Sequence, residues 1–433
     1  MHLGVFIRET GHHLAAWRHD TASQGLLNLK HHIQIAQTAE KGLLDFLFLA
    51  DHPAVQGEPG TPERSGEPVR FEPLTLLSML AAHTSKIGLI ASASTTYSAP
   101  YALARQLASL DHLSEGRAGW NVVTSVNDSE ARNFGQDSHM EHALRYERAD
   151  EFIDVLKGLW DSWDDDAFAV HKHTGLSFDP AKMRVLDHHG QHFKVRGPLN
   201  VPRSPSGHPV IVQAGASDSG RDLAARKGEV IFTATADIDV AQAFYGDVKR
   251  RAVAAGRSVD DIKIMPGMFP IVASSEKAAM ERFEELQELV DIESGRAQLS
   301  RILGYADLSN FDLDGPLPDL PATNARKARF EYAVNLARTR KLTIRQLIRE
   351  LSSARTHWKL FGDAGQIADS MERWFKSGAA DGFNILAPVM LPDLTCFVEE
   401  VVPELQRRKL FRHDYGEGGL RGSLGLARPG VAR

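Results

Sequence analysis

Cysteine and long apolar runs are almost missing from this chain of 433 residues. The single cysteine, Cys396, excludes a framework of intramolecular disulfide bonds and any zinc site built from several cysteines. No apolar run approaches the ~18 residues of a membrane-spanning helix, and the N-terminus, Met1 to Ile7, lacks the basic segment of a signal peptide. We therefore expect a soluble, cytoplasmic protein without a membrane segment.

An excess of positive charge is missing as well. The formal net charge is −6, so the composition gives no reason to expect nucleic-acid binding. The chain shows no dinucleotide fingerprint and no compelling nucleophile. A group of histidines has spacings that match no helix-face or finger pattern of metal ligands, so we predict no metal site. These are His171, His173, His188, His189 and His192.

Short apolar segments alternate with helical segments along most of the chain. The predicted strands cover residues 3–7, 46–50, 87–93, a stretch that ends at 121–125, and residues 209–213, 229–233, 262–268 and 381–386. About eight strand–helix units in near-regular alternation predict an α/β fold, a (β/α)8 TIM barrel with insertions. A doubly wound sheet is the alternative.

Two stretches interrupt this alternation. Residues 164–208 include a stretch at 188–195 that is predicted to be a small β-hairpin or an excursion strand. Residues 295–357 read as a polar, helical insertion that could act as a lid or an oligomer contact. The Gly- and Arg-rich tail from about residue 415 is predicted to be extended. Since no internal repeat appears beyond the alternation itself, we expect one domain over residues 1–433.

The segment from Ile87 to Ser125 organises the predicted site. It reads as strand, polar loop, helix, strand and polar loop, and both strands finish in hydroxyl or amide side chains. Asp51 stands at the same end of the preceding strand. Ligands bind at the carboxyl ends of the strands in parallel α/β folds, so we expect these side chains to meet a ligand. Asp51 could instead cap the next turn.

Two helix starts suit an anion. His142 and Tyr146 are spaced i and i+4 in the first turns of a predicted helix, where free N–H groups point outward. The turn of small residues from Ala214 to Gly220 joins a strand to a helix and is a second candidate for holding a phosphate. A solvated helix start and an ordinary tight turn are the alternatives.

The first loop, Gly11 to His19, is rich in histidine and carries Trp17. It follows the carboxyl end of the first strand, so it is a candidate for part of a substrate pocket. A packed surface loop is the alternative.

Short motifs occur in a set order along nearly the whole chain. They are Gly11-His12-His13, Ala16-Trp17-Arg18-His19, Leu49-Ala50-Asp51, Ser94-Thr95-Thr96-Tyr97, Ser109 to Ser114, Gly119 to Ser125, Arg145-Tyr146-Glu147, Gly197-Pro198-Leu199-Asn200, Gln213-Ala214-Gly215, Ala379 to Phe383 and Leu420-Arg421. In these motifs and their order the sequence resembles the bacterial-luciferase-like flavin monooxygenases. More narrowly, it resembles the group of nitrilotriacetate monooxygenase component A and dibenzothiophene-sulfone monooxygenase.

The resemblance implies an enzyme that receives FMN in its reduced form, FMNH2, from a separate NAD(P)H-dependent flavin reductase. It implies that O2 is the co-substrate and that one oxygen atom enters a small organic molecule, with cleavage of a C–N or C–S bond. A homodimer or homotetramer is expected on the same ground. Because the cofactor carries the difficult chemistry in such enzymes, the lack of an evident nucleophile or metal cluster is expected.

The resemblance also implies roles for particular residues. Asp51 and Ser92 would meet the isoalloxazine edge, and Asn121 and Thr124 would line the flavin. The phosphate would be held by His142, Tyr146, Ser217 and the backbone amides of Ala216 and Ser217. The residues expected to contact the substrate are His13, Trp17, His19 and Tyr97. The sequence does not identify a catalytic base.

Three other functions remain open at this point. A deazaflavin-dependent oxidoreductase on the same barrel would move a hydride without O2. A non-catalytic flavin-binding protein and, more distantly, a metal-dependent hydrolase are the others. Oxygen uptake with FMN and a reductase separates the first of these from a monooxygenase.

Overall fold

The structure is a computed structural model that describes residues 1–23, 26–55, 68–169, 172–173, 175–321, 327–354 and 356–431. Within these ranges the chain forms eleven strands. They are β1 (His2–Ile7), β2 (Phe46–Leu49), β3 (Gly88–Ser94), β4 (Ala118–Val123), β5 (His188–His189), β6 (Lys194–Val195), β7 (Val210–Gln213), β8 (Val230–Thr233), β9 (Lys263–Val272), β10 (Trp358–Gly362) and β11 (Gly382–Ile385).

Eight of these strands are parallel and close into a barrel. Hydrogen bonds join β1, β2, β3, β4, β7 and β8 in that order, and the ring continues through β9 and β11 back to β1. The extra strand β10 pairs in parallel with the second half of β9, from Met268 to Val272. This architecture confirms the predicted (β/α)8 barrel and excludes the doubly wound sheet.

Most of the helices in the described residues cover the outside of the barrel. The helices are α1 (Leu29–Lys41), α2 (Pro73–Ala81), α3 (Pro100–Leu113), α4 (Asp128–Asn133), α5 (His142–Trp160), α6 (Asp218–Lys227), α7 (Ile238–Ala254), α8 (Glu276–Glu288), α9 (Ile292–Ile302), α10 (Lys327–Arg340), α11 (Ile344–Leu351), α12 (Ala364–Lys376), α13 (Met390–Cys396), α14 (Val402–Arg407) and α15 (Gly419–Ser423). A π-helical turn, Phe397–Val401, joins α13 to α14.

The strands divide the hydrophobic core in two because successive side chains of a strand point to opposite faces. Phe46 and Phe48 of β2 belong to the cluster inside the barrel, with Val212 of β7. Leu47 of β2 and Leu89 of β3 belong to the cluster under the helices. A strand buried on both faces must be apolar throughout, which is why the strands could be found in the sequence.

The C-terminal tail closes the amino end of the barrel. Leu420 of α15 and Leu424, the residue that follows the helix, are fully buried in the cluster that fills the barrel interior. A β-carbon on Gly88, where β3 begins, would lie 2.4 Å from a Leu420 methyl group, so glycine leaves the room that Leu420 occupies. The tail therefore contains a packed helix, which differs from the extended segment that the sequence predicts.

The stretches at residues 164–208 and 295–357, which interrupt the strand–helix alternation, contain secondary structure of their own. The hairpin of β5 and β6 lies in the 164–208 stretch, where the sequence predicts a hairpin or an excursion strand. The 295–357 stretch contributes to α9 and forms α10 and α11, which share a hydrophobic cluster of their own that includes Leu299 and Leu347. Neither α4 nor β10 was predicted from the sequence.

Ion pairs fasten the tail to the 164–208 stretch. Arg428 donates to both carboxylate oxygens of Asp165, at 2.9 and 2.6 Å, and the buried Arg203 donates to Asp165 Oδ1 at 3.1 Å. The hydrogen bonds from Arg428, with those from Arg203, lower the pKa of Asp165 from 3.8 to about 2. The carboxylate form is therefore the one that the folded chain stabilises.

This lowered pKa predicts an acid-dependent contribution to stability. A depressed carboxyl pKa stabilises the fold above the ordinary pKa of 3.8 and ceases to do so as the pH falls towards about 2. We expect Asp165→Asn to be less stable than the wild type at neutral pH and the difference to shrink as the medium is acidified. Urea unfolding of both proteins across that range measures it. A difference that does not change with pH contradicts the assignment.

Among the described residues, no group of three or more His, Cys, Asp or Glu side chains is arranged to hold a metal ion. His171, one of the histidines considered for metal binding, lies outside the described residues. No helix in the described part of the chain combines the length and the apolar character needed to cross a membrane.

Candidate functional site

Polar side chains gather at the carboxyl-terminal opening of the barrel, which we call the mouth. Ser92 of β3 and Asn121 of β4 are direct neighbours in the strand register, and both are buried. Asn121 Nδ2 donates a 2.7 Å hydrogen bond to Ser92 Oγ. Adjacent strands therefore place a hydroxyl and an amide together at the mouth.

Two further hydrogen bonds fix the loops that follow β3 and β4. Ser94 Oγ and Ser125 Oγ are 2.9 Å apart, and Thr96 Oγ1 donates to the Thr124 carbonyl at 2.8 Å. Ser125 has φ of 56°, in the left-handed region, so the chain turns sharply just beyond β4. Thr124 and the loop after β3 consequently form one wall of the mouth.

Asp51, at the end of β2, lies beside the same wall. Its Oδ1 accepts a 2.9 Å hydrogen bond from the His52 backbone, and His52 Nδ1 lies 3.2 Å from Oε1 of the buried Glu130. Burial raises the pKa of the Asp51 carboxyl, and the negative charges of Glu72 and Glu130 act in the same direction. Asp51 therefore binds a proton more readily than an exposed aspartate does.

Aromatic rings form the floor of the mouth. Phe6 of β1 and Phe48 of β2 meet edge to face with centroids 5.1 Å apart, and Phe232 of β8 lies 5.8 Å from Phe6. His12 packs edge-on against Phe6 at 4.7 Å, and His357 stacks on Phe232 at 5.2 Å. An apolar, aromatic floor of this kind suits a planar aromatic ligand, which could stack on a ring face or meet a ring edge.

Three buried amide oxygens near this floor have no hydrogen-bond partner within the described residues. They belong to Asn121 of β4, Gln213 of β7 and Asn384 of β11. Each side chain is at most 4% exposed. Buried acceptors are normally satisfied, so three of them on barrel strands indicate a ligand that carries N–H donors.

The first turn of α5 faces the turn that precedes α6. The rings of His142 and Tyr146 are 4.8 Å apart on α5. A β-carbon on Gly215 would lie 2.6 Å from the Tyr146 hydroxyl oxygen, so only glycine allows this approach. Ser217 begins α6 and accepts a 3.2 Å hydrogen bond from the Gly220 backbone. Two hydroxyls and a helix N-terminus thus share one spot, an arrangement that suits a phosphate.

Arg145 connects the first turn of α5, beside the candidate phosphate site, to the wall of the mouth. It is buried, lies one residue before Tyr146 on α5, and donates from Nη1 to the Ser125 carbonyl at 2.6 Å. The first turn of α5 is therefore fixed to the end of β4. A ligand with a ring at the floor and a phosphate at α6 would span these two places.

Comparisons with known proteins decide the family. The luciferase-like monooxygenase profile matches residues 1–381 of the chain. The chain belongs to the luciferase-like monooxygenase family. Membership identifies it as a flavin-dependent monooxygenase and confirms the resemblance seen in the sequence motifs.

Named relatives match from end to end. The chain is 50% identical over 430 residues to N-acetyl-S-(2-succino)cysteine monooxygenase of Bacillus subtilis, covering 99% of this chain and 97% of that protein. It is 48% identical over 439 residues to nitrilotriacetate monooxygenase component A of Aminobacter aminovorans, with the same coverages. A solved structure of riboflavin lyase with modified FMN and riboflavin superposes with a TM-score of 0.88 at 30% identity, over 99% of this chain and 96% of that one.

The first loop of this luciferase-like chain points its two neighbouring histidines in different directions. His12 Nε2 donates to the Phe6 carbonyl at 2.8 Å and faces the floor, whereas His13 packs edge-on against Phe283 of α8 at 6.0 Å. Burial lowers the pKa of each ring to about 3, so both are neutral at physiological pH. Of the two, His12 is the one in the mouth.

Trp17 and His19 lie further along the same loop. Trp17 is 43% exposed, and His19 Nδ1 contacts Thr21 Oγ1 at 2.8 Å. No contact between these two side chains and the floor is present within the described residues. The structure does not test whether His13, Trp17 and His19 meet a substrate, so their role stays a prediction.

Several residues of the luciferase-like site are missed by sequence reasoning. Asn384 and Gln213 stand in apolar strands, and a buried amide in such a strand is a signal that could have been used. His12 carries no signal that distinguishes it from His13. His357 follows the long insertion, and nothing in the local pattern indicates that it stacks on the floor.

Proposed function

We propose that the chain is the oxygenase of a two-component system that uses FMNH2 and O2 to oxygenate a small organic substrate and break a C–S or C–N bond. The substrate class is a thioether or amine that carries several carboxylates. An NAD(P)H-dependent flavin reductase supplies FMNH2 as a separate protein.

End-to-end similarity to two monooxygenases that are named for carboxylated compounds supports this proposal. The names of the two relatives specify a succinylated thioether and an amine with carboxymethyl arms. Each has a carbon that bears both a heteroatom and a carboxylate. The designation "component A" supports a system in which a second protein takes part.

The residues of the mouth fit FMN. The buried amide oxygens of Asn121 and Gln213 accept N–H donors, and Ser92 and Asp51 add polar contacts at the ring edge. Thr124 would line the ring, and the phosphate would lie with the group formed by His142, Tyr146, Ser217 and the backbone amide of Ala216. Bound in its reduced form, the flavin supplies the activation of O2.

The protein's share of the reaction is to position the substrate and exclude water. We infer that the aromatic floor and the walls of β3 and β4 shield a bound ligand from solvent. The insertion reaches this region, because Tyr305 donates from its hydroxyl to Asn127 Oδ1 at 3.1 Å in the loop after β4. We propose that the insertion covers the mouth during turnover, with His13, Trp17, His19 and Tyr97 near the substrate.

The proposed reaction is a monooxygenation followed by breakdown of the hydroxylated product. One oxygen atom of O2 enters a C–H bond next to the heteroatom, and the other leaves as water with the two electrons and two protons of FMNH2. The new hydroxyl loses its proton as the carbon–heteroatom bond breaks, and the heteroatom takes that proton. A thioether substrate then gives a thiol and a 2-oxo acid.

An assay with photoreduced FMN tests the proposal without requiring the native reductase. We expect the protein to consume O2 in a substrate-dependent way with N-acetyl-S-(2-succino)cysteine or nitrilotriacetate, and to release one thiol per O2 from the first. Thiol titration and an oxygen electrode measure this. If both compounds give only hydrogen peroxide at the rate of free FMNH2, the proposed substrate class is wrong.

A further inference from the structure

A chain of three polar side chains runs along the rim between β3, β4 and α5. The Tyr97 hydroxyl lies 2.7 Å from His139 Nδ1, and His139 Nε2 lies 2.6 Å from Arg145 Nη1. The same Arg145 nitrogen donates to the Ser125 carbonyl. The backbone N–H of His139 donates to Asp128 Oδ1 at 2.9 Å, so the loop that presents the imidazole is itself anchored.

The direction of these hydrogen bonds follows from which groups can donate. A guanidinium has only donors, so His139 Nε2 must accept from Arg145 and carries no proton. A neutral imidazole with an unprotonated Nε2 carries its proton on Nδ1, which then donates to the Tyr97 oxygen. Burial and the positive charge of Arg145 lower the pKa of His139, against the opposing effects of the Ser125 carbonyl and the carboxylates of Glu130 and Asp128.

Tyr97 is thereby left with its own proton to donate elsewhere. The Tyr97 oxygen accepts a hydrogen bond from the His139 Nδ1–H group. Burial, with the nearby Glu130, raises the pKa of Tyr97 to about 12, so the hydroxyl stays protonated. The Tyr97 ring also stacks in parallel on the half-exposed ring of Phe134, with centroids 4.5 Å apart. Thr96, one residue earlier, fixes the loop to the end of β4.

We propose that Arg145 and His139 are positioning residues that aim the Tyr97 hydroxyl proton at a carboxylate oxygen of the substrate in the mouth. The donors point in one direction, from the guanidinium through the imidazole and the phenol, and each polarises the next. A carboxylate is the acceptor that gains most from such a chain, since hydrogen bonds to charged groups are the strong ones. This inference rests on the proposed function and deepens it.

Two substitutions at one position separate positioning from packing. His139→Gln keeps an oxygen that accepts from Arg145 and an N–H that donates to Tyr97, whereas His139→Leu keeps neither. Tyr97→Phe removes only the hydroxyl and retains the stack on Phe134. Phe134→Leu is the matched control, because it removes the stacking partner and leaves the hydrogen bonds in place.

Steady-state kinetics with photoreduced FMN and N-acetyl-S-(2-succino)cysteine give the expected outcome. We expect Tyr97→Phe and His139→Leu to raise the KM for this substrate about 10- to 100-fold and to release more hydrogen peroxide per O2 consumed. FMN affinity should be unchanged, and His139→Gln and Phe134→Leu should stay close to the wild type. An unchanged KM in Tyr97→Phe, or an equal increase of KM in the two His139 variants, overturns the proposal.

A second measurement does not depend on turnover. In 15N-histidine-labelled wild-type protein, with the His139 signals assigned by their loss in His139→Gln, we expect the tautomer with its proton on Nδ1. A proton on Nε2, or a doubly protonated ring at neutral pH, overturns the proposal. Should the wild type fail to turn over either carboxylate, the proposed function fails, and this spectrum alone decides the direction of the hydrogen bonds.

Discussion

FMN should bind about 100- to 10,000-fold more weakly when His142→Ala and Ser217→Ala are combined, because each would remove one of the proposed hydrogen bonds to a charged phosphate. Such hydrogen bonds contribute about 1.5–3 kcal/mol each, and each 1.4 kcal/mol is about tenfold in affinity. The rings of His142 and Tyr146 are 4.8 Å apart on α5, and Tyr146 approaches Gly215, two residues before the α6 N-cap Ser217. Fluorescence titration of FMN with the apoprotein measures the change.

Ser275→Ala is a matched control for this experiment. Ser275 begins α8 and accepts a 3.2 Å hydrogen bond from the Ala278 backbone, as Ser217 does from Gly220. Loss of either cap should lower the free energy of unfolding by about 1 kcal/mol. Only the double variant that includes Ser217→Ala should change FMN affinity. Unaltered binding in that variant removes His142 and Ser217 from the site.

Arg421→Met should lower the free energy of unfolding by about 3–5 kcal/mol, because it leaves one partner of a largely buried ion pair behind. Arg421 donates to both oxygens of Glu229, at 2.7 and 3.1 Å, and to the His208 carbonyl at 2.9 Å. These contacts hold α15, and with it Leu420, in the amino end of the barrel. Urea unfolding at neutral pH measures the loss.

Arg345→Met provides the comparison for that loss. Arg345 makes the same two-pronged contact with Asp314, at 2.8 and 3.0 Å, but both side chains are exposed. An exposed pair contributes far less to stability than a buried one, since water solvates the charges in either state. Equal destabilisation of the two variants would contradict the claim that the buried contacts of the C-terminal tail stabilise the barrel.

The strands could be predicted because they are buried on both faces. Val210–Gln213 and Val230–Thr233 are short, apolar and β-branched, and such segments have few other stable arrangements. The polar residues that end β3 and β4 could be placed at the mouth for the same reason. The register that brings Ser92 against Asn121 depends on pairing between strands, which the pattern along one strand does not contain.

The parts that were missed depend on tertiary contacts. The sequence around α15 is rich in glycine and has little helix propensity. Gly418, just before the helix, and Gly419, its first residue, adopt φ of 89° and 61°. This helix forms because Leu420 and Leu424 are buried in the barrel. In the same way, His12 rather than His13 faces the floor because its ring bonds to the Phe6 carbonyl, a contact that only the folded loop creates.

A crystal structure of the protein soaked with FMN tests the central claim most directly. We expect the isoalloxazine ring to lie over Phe6 and Phe232, and the phosphate to lie within hydrogen-bonding distance of Tyr146 and Ser217. A flavin bound outside the barrel mouth, or one whose phosphate lies away from the first turns of α5 and α6, would contradict it.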